Sequence, residues 1–241
     1  MLKQDRLIKL PDDLLLNILE RVGTLDAIRA CLISKRTLNL PAKLSKIDIV
    51  LSCNDLRWMN DDVAGAIEKI LRTRSAQVPI RKLKVRFLLR LRDCLSIGNS
   101  VALAAATQKL DAAEFEISTQ ENWCNADELV SYAKQFNAFF GACPDAFAAL
   151  TRLHLQDMRF GESDLRGILC TCKRLESLGL FQCDAGIGSV LQIEHATLVE
   201  LHINHGSFKT VRLNFLPKLE RFGFDHNTQN CSHNFSVNYG P

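Results

Sequence analysis

Four times in its second half the chain sets down three apolar residues at offsets 0, 3 and 5: Leu150, Leu153 and Leu155; Leu175, Leu178 and Leu180; Leu198, Leu201 and Ile203; Leu219, Phe222 and Phe224. Their starts lie 25, 23 and 21 residues apart. A unit of that size holds one short strand and one return segment, and it cannot bury its apolar side alone, so successive units must stack. Three weaker copies precede these: Leu44, Ile47 and Ile49; Ile80, Leu83 and Val85; Ala112, Phe115 and Ile117. The steps of 36, 32 and, on to Leu150, 38 residues predict longer and less regular units there.

The period is that of leucine-rich repeats, which predicts an α/β solenoid with one parallel sheet. Side chains alternate along a strand, so offsets 2, 4 and 6 must face outward on the concave side. In the clear repeats these positions hold Arg152, His154 and Gln156; Ser177, Gly179 and Phe181; Glu200, His202 and Asn204; Arg221, Gly223 and Asp225. Arg152, His154, Gln156, Phe181, Glu200, His202 and Asn204 are the candidate binding residues, a mixture suited to recognising protein. Upstream, Lys82, Lys84 and Arg86 are expected to face Glu114 and Glu116 across neighbouring strands.

The return segments can also be read. Ser163 is placed to cap a helix carrying Leu165, Ile168, Leu169 and Cys172, whereas Gly186 and Gly188 argue for an extended return through Val190, Leu191 and Ile193. Val211 and Leu213 suggest the same. Asn60 is predicted to cap a helix bearing Val63, Ile67, Ile70 and Leu71. Asn125 with Glu128 forms a capping box before Leu129, Ala133, Phe136 and Phe140, and Gly141 and Pro144 end that helix. His202 and His205, three apart on one strand, are expected on opposite faces, one solvated and one in the core.

A second feature lies near the start, LPDDLLLNILERVGTLDAIRACLISKR, residues 10–36. Pro11 suits the first position of a helix, and Asp12 and Asp13 follow where the helix dipole favours carboxylates. Leu14, Leu15, Ile18, Leu19 and Val22 then form an apolar face too broad for a short helix to bury against itself. That face needs a second surface.

With 241 residues, 47% of them hydrophobic, the chain can bury a substantial core, and its net charge of +3 does not indicate a globally basic nucleic-acid coat. No secretory segment and no run of roughly 20 apolar residues is present, so the expected setting is cytoplasmic or nuclear, with no membrane partner. Nine scattered cysteines fit a reducing compartment. Cys170 and Cys172 lack the second pair a zinc site requires, and no metal or cofactor is expected. Serine-hydrolase, phosphate-loop and metalloprotease motifs are missing, so no catalytic residue is assigned.

The head segment, taken with LTRLHL, LESLGLFQCDAG, LVELHI and LPKLERFGF, resembles the plant F-box proteins with leucine-rich repeats, including those ending in an FBD domain. The resemblance implies a non-catalytic substrate receptor of an SCF-type ubiquitin ligase. It divides the chain into an F-box at 7–43, repeats at 44–224 and a loose tail at 225–241 that lacks the FBD region. It also implies that Leu10, Pro11, Leu14, Leu15, Ile18, Leu19, Ile28, Leu32 and Ile33 hold a SKP-family adaptor and, through it, a cullin, while the repeats hold a protein substrate. Relatives carry Trp after the Lys-Arg pair where this chain has Thr37, which predicts weaker packing at the end of the F-box.

Two other readings remain. One is a repeat scaffold outside any ligase. The other is a nucleic-acid binder using residues 69–92, where Lys69, Arg72, Arg74, Arg81, Lys82, Lys84, Arg86, Arg90 and Arg92 occur without an acidic residue. Phe87 is the only aromatic among them, so stacking on bases has little to work with and the window reads better as a solvated helix end plus a strand.

Overall fold

Short runs of alternating apolar and polar residues make the strands, and the apolar edges then stack in rows. The computed structural model describes residues 10–31, 37, 40–120, 124–161, 163–186, 188–226 and 236–239. Two short helices, α1 (Asp12–Leu19) and α2 (Thr24–Cys31), and a 3-10 turn at Pro41–Lys43 lead into the array. Seven strands follow in one parallel sheet, ordered β1 (Lys46–Ile49), β2 (Lys82–Leu88), β3 (Ala113–Ser118), β4 (Leu150–Gln156), β5 (Ser177–Phe181), β7 (Glu200–Gly206) and β9 (Arg221–His226). The fold is thus α/β, a helical head followed by a mostly parallel array.

Return segments run along the convex side. They are helices first: α3 (Cys53–Thr73), α4 (Leu91–Thr107), α5 (Ala126–Ala142), α6 (Pro144–Ala148) and α7 (Asp164–Thr171). Thereafter they are strands. β6 (Val190–Ile193), β8 (Thr210–Leu213) and β10 (Ser236–Tyr239) form a second parallel sheet with β8 in the middle. Gly186 and Gly188, both at positive φ, turn the chain into β6 where a helix would otherwise start.

Paired positions show how the core is built. Val85, Phe115, Leu153, Leu178, Leu201 and Phe222 form one apolar row, and Phe87, Ile117, Leu155, Leu180, Ile203 and Phe224 the next. All but the two last phenylalanines are buried, each contributing roughly 1.5–3 kcal/mol over an exposed position. The register corrects one sequence reading. Val85, third in its triplet, pairs with Phe115, second in the next, so the step of 32 residues hides a slip of two, and the structural equivalents of Ile80 and Val85 are Leu110 and Phe115.

Other local expectations change as well. Asn60 is no cap: α3 begins earlier, with Ser52 accepting from the Asp55 amide, and breaks at Met59 (φ −116°, ψ 18°). Asn60 is buried there, accepting from the Leu88 amide at 2.6 Å and donating to the Leu88 carbonyl and Asp93. The end of β2 is buried, and its polar groups need those partners. Ser163 precedes α7 but sits in helical φ/ψ and makes no capping bond. The Asn125–Glu128 capping box is present. Gly141 stays inside α5, and Pro144 starts α6. Within the segment read as a loose tail, Ser236–Tyr239 pairs with β8, matching Val237 to Val211 and Tyr239 to Leu213.

Candidate docking helix and concave face

Leu15 and Leu19 turn inward from α1 into a small core with Ala27, Cys31, Leu40 and Leu44. Leu14, Ile18 and Val22 face out, 51%, 41% and 46% exposed. The five apolar residues therefore divide by helical phase. A head of some thirty residues needs its own core, and the Leu15–Leu19 edge supplies it; among the described residues nothing covers the 14–18–22 edge one residue back. Two residues expected at the partner surface are corrected to core positions, while Leu14 and Ile18 stay at the surface. Pro11 is exposed and precedes the helix, its carbonyl accepting from the Leu15 amide at 3.1 Å, and Leu10 is half-buried. Ile28 falls within α2, but its side chain, together with Leu32 and Ile33, lies outside the described residues. Thr37 is buried and donates to the Cys31 carbonyl at 2.8 Å, a small polar stop just after α2.

The head is joined to the array by partly buried polar contacts. Glu20 accepts from both the amide and the hydroxyl of Ser45, at 2.9 and 2.6 Å. Burial pushes the Glu20 carboxyl up, but these two donors, with Arg81 and Lys46 nearby, hold it below its ordinary value. Thr24 accepts from the Asp48 amide on the outer edge of β1, and buried Arg74 donates to the Leu44 carbonyl. The outer strand is thereby closed by the head.

The concave face carries two ordered polar rows. Lys84, Glu114, Arg152, Ser177, Glu200 and Arg221 share one; Arg86, Glu116, His154, Gly179, His202 and Gly223 share the other. As expected, Lys82 reaches Glu114 at 2.9 Å, and Lys84 and Arg86 reach Glu116 at 2.5 and 2.6 Å. Burial raises the Glu116 carboxyl, yet Lys84 and Arg86 together bring it below the usual carboxylate range. Six of the nine basic residues in that window are engaged, while Lys69, Arg81 and Arg92 are exposed. Arg74 is buried, Arg72 pairs with Glu68, and Arg90 bonds the Arg57 carbonyl.

Glu200 is the centre of the other half, accepting from His202 at 2.8 Å, Ser177 at 3.1 Å and Arg221 at 3.3 Å. Foremost the His202 bond, then Arg221, bring its carboxyl down to about 2. Its folded pKa lies below the unfolded value near 4.5, so the stability it contributes is present above about pH 4.5 and lost as pH falls toward 2. Glu200→Gln is expected to lower the thermal midpoint above about pH 4.5 and to flatten its fall between there and pH 2; identical profiles would contradict the assignment.

Histidine and glycine alternate along the second row for a steric reason. A Cβ on Gly179 would collide with His154 Nδ1, and one on Gly223 would lie 2.5 Å from His202 Nδ1, so each imidazole rests on the next strand's glycine. Burial lowers the His154 pKa, favouring the neutral imidazole. Gly179→Ala should evict that ring into solvent and move its titration up toward about 6.5, readable by NMR. A cavity of about 310 Å³ opens over these residues, lined by Arg152, His154, Ser177, Glu200, His202 and Asn204 among others. Gln156 and Phe181 are half-buried at its end of the strands, and Gln156 donates to Asp157 at 2.8 Å.

Asp157 and Gln182 were not singled out by the sequence reading, and His205 was read only as facing opposite to His202 on its strand. Each follows offset 6 of its repeat and turns the chain at φ of 55°, 50° and 54°. His205, at an irregularity within β7, is therefore exposed, edge-on to Phe181, and not in the core. The common signal is an Asp, Gln or His at offset 7, residue types of which Asp and His tolerate the left-handed region.

Residues 7–47 match the F-box domain family, and residues 122–240 match the leucine-rich repeats of the FBD-associated F-box protein At5g56370. The chain belongs to the plant F-box/leucine-rich-repeat family. No curated protein sequence matches it. F-box domains bind SKP-family adaptors in SCF complexes, and F-box proteins are in general non-catalytic adaptors. In this F-box protein exposed Leu14 and Ile18 lie on the first helix of the matched head, with exposed Val22 in the bend just after it. No helix among the described residues is long and apolar enough to cross a membrane.

Proposed function

We propose that this F-box protein is the substrate-recognition subunit of an SCF-type ubiquitin ligase. Leu14 and Ile18, with Val22 beside them, dock the SKP-family adaptor, and through it the cullin. The concave rows at Arg152, His154, Gln156, Phe181, Glu200, His202 and Asn204 hold the protein to be modified. One observation carries the reading: an apolar stripe left open on a helix whose opposite edge is already anchored, in a head fastened to a polar recognition sheet. Such a receptor contributes proximity, raising the effective concentration of target near the charged ubiquitin carrier without donating a catalytic group.

The pairing of Lys82, Lys84 and Arg86 with Glu114 and Glu116 supports protein over nucleic acid as the ligand, since phosphates would have to displace carboxylates already in place. Co-expression of the full chain with a SKP-family adaptor should yield a stable one-to-one complex that recruits cullin. A chain that purifies folded and without adaptor would overturn the proposal and leave the scaffold reading.

A further inference from the structure

The change of return segment from helix to strand leaves a mark on the convex side. Among the described residues β6 pairs only with β8, and a cavity separates its other edge from α7, which cannot continue the ladder. The Thr210 amide donates to the Ser189 carbonyl and the Asn214 amide to the Ile193 carbonyl, so Leu191 and Ile193 address β8. Backbone groups alternate in direction along a strand, and those of Val190 and Gln192 therefore point at the gap. β6 reads Val-Leu-Gln-Ile, with neither proline nor charge to protect its edge.

That gap is a cavity of about 690 Å³. Arg166, Leu169 and Lys173 line it from the α7 side, Gln192 and Glu194 from the strand side, and half-exposed Phe215 at one end. Two exposed cations face one carboxylate across apolar ground. We infer that this groove docks an extended acidic segment of a partner protein, whose backbone joins the convex sheet beside β6 as a fourth strand. Main-chain bonds to Val190 and Gln192 supply affinity; Arg166 and Lys173 select acidic side chains, and Leu169 and Phe215 take the alternating apolar ones. The groove is separate from both the concave face and the adaptor stripe.

A fluorescent heptapeptide of alternating Glu and Val, added to the full chain in complex with its adaptor, tests this. The peptide should bind with salt-sensitive affinity and protect the amides of Val190 and Gln192 from hydrogen exchange. Gln192→Pro removes a donor aimed away from β8, so the sheet and adaptor retention should persist while affinity falls about tenfold. Arg166→Glu with Lys173→Glu should weaken binding without touching the backbone, and a Lys-Val heptapeptide should bind far less. Equal binding by both variants, protection appearing on the concave face or at β10 instead, or no binding at millimolar peptide would each overturn the inference. So would concentration-dependent self-association through this edge, which would name a second copy as the occupant. Loss of adaptor from the wild-type chain bears on the ligase reading alone.

Discussion

Leu14→Asp combined with Ile18→Asp is expected to strip the protein of its adaptor while leaving it folded. Both side chains project from α1 into solvent, 51% and 41% exposed, and neither belongs to the small core of the head. Placing two carboxylates in an apolar contact costs each one its hydration with no partner in return, and central interface residues of this kind are worth about 2 kcal/mol or more apiece. Together they should weaken adaptor binding by roughly a thousandfold. Leu15→Ala is the complementary variant: Leu15 is 5% exposed, and its truncation should cost about 2–5 kcal/mol of stability. Co-purification and thermal melting, measured on both proteins, separate docking from folding. Retention of adaptor by the double variant would refute the docking stripe, and an unchanged melt for Leu15→Ala would refute the phase assignment.

Phe147→Ala should produce the largest loss of stability. Its ring has no exposed surface and meets Phe139 and Phe140 with centroids at 5.0 Å, Phe136 at 5.7 Å and Phe115 at 5.9 Å, mostly edge to face. From α6 it joins the three rings of α5 to β3. Removing it opens a cavity among rings that cannot all collapse inward, at a cost of about 3–5 kcal/mol against a total of 5–15 for a typical domain. Phe147→Leu keeps most of the volume and should cost under about half as much. Denaturant midpoints of the two variants, at equal slope, give the comparison. A midpoint for Phe147→Ala close to wild type would mean the cluster is not the mechanical centre of the array.

The repeats were legible because period and burial share one cause. Leu153, Leu155, Leu178, Leu180, Leu201 and Ile203 occupy inward positions on strands too short to hide anything else there, so spacing alone finds them. The slip between Val85 and Phe115 was not legible, because Leu83 and Phe87 flank Val85 at the same two-residue spacing and any of the three fits the pattern. Asn60 shows a different limit. A cap and a buried partner for a strand end draw on the same side-chain chemistry, and only the position of Leu88 in space decides between them. On α1 the hydrophobic pattern gave the width of the apolar face but not its division, since Leu14 and Leu15 are chemically identical and differ only by the 100° between successive residues. The concave residues were placed correctly on their face. Their pairing into Glu200-centred and Glu116-centred groups followed from register, which a sequence of irregular spacing does not state.

Thr24 on the outer edge of β1, and Glu20 and Arg74 on the turn before it, make the head the terminal seal of the stack. Truncating it would bare the first strand and its apolar layer, so a headless chain is not a fair control for cargo binding. The same joint imposes thermodynamic reciprocity. On the proposed docking, adaptor bound to α1 should therefore raise the melting temperature of the first layers of the array through the Glu20, Thr24 and Arg74 contacts.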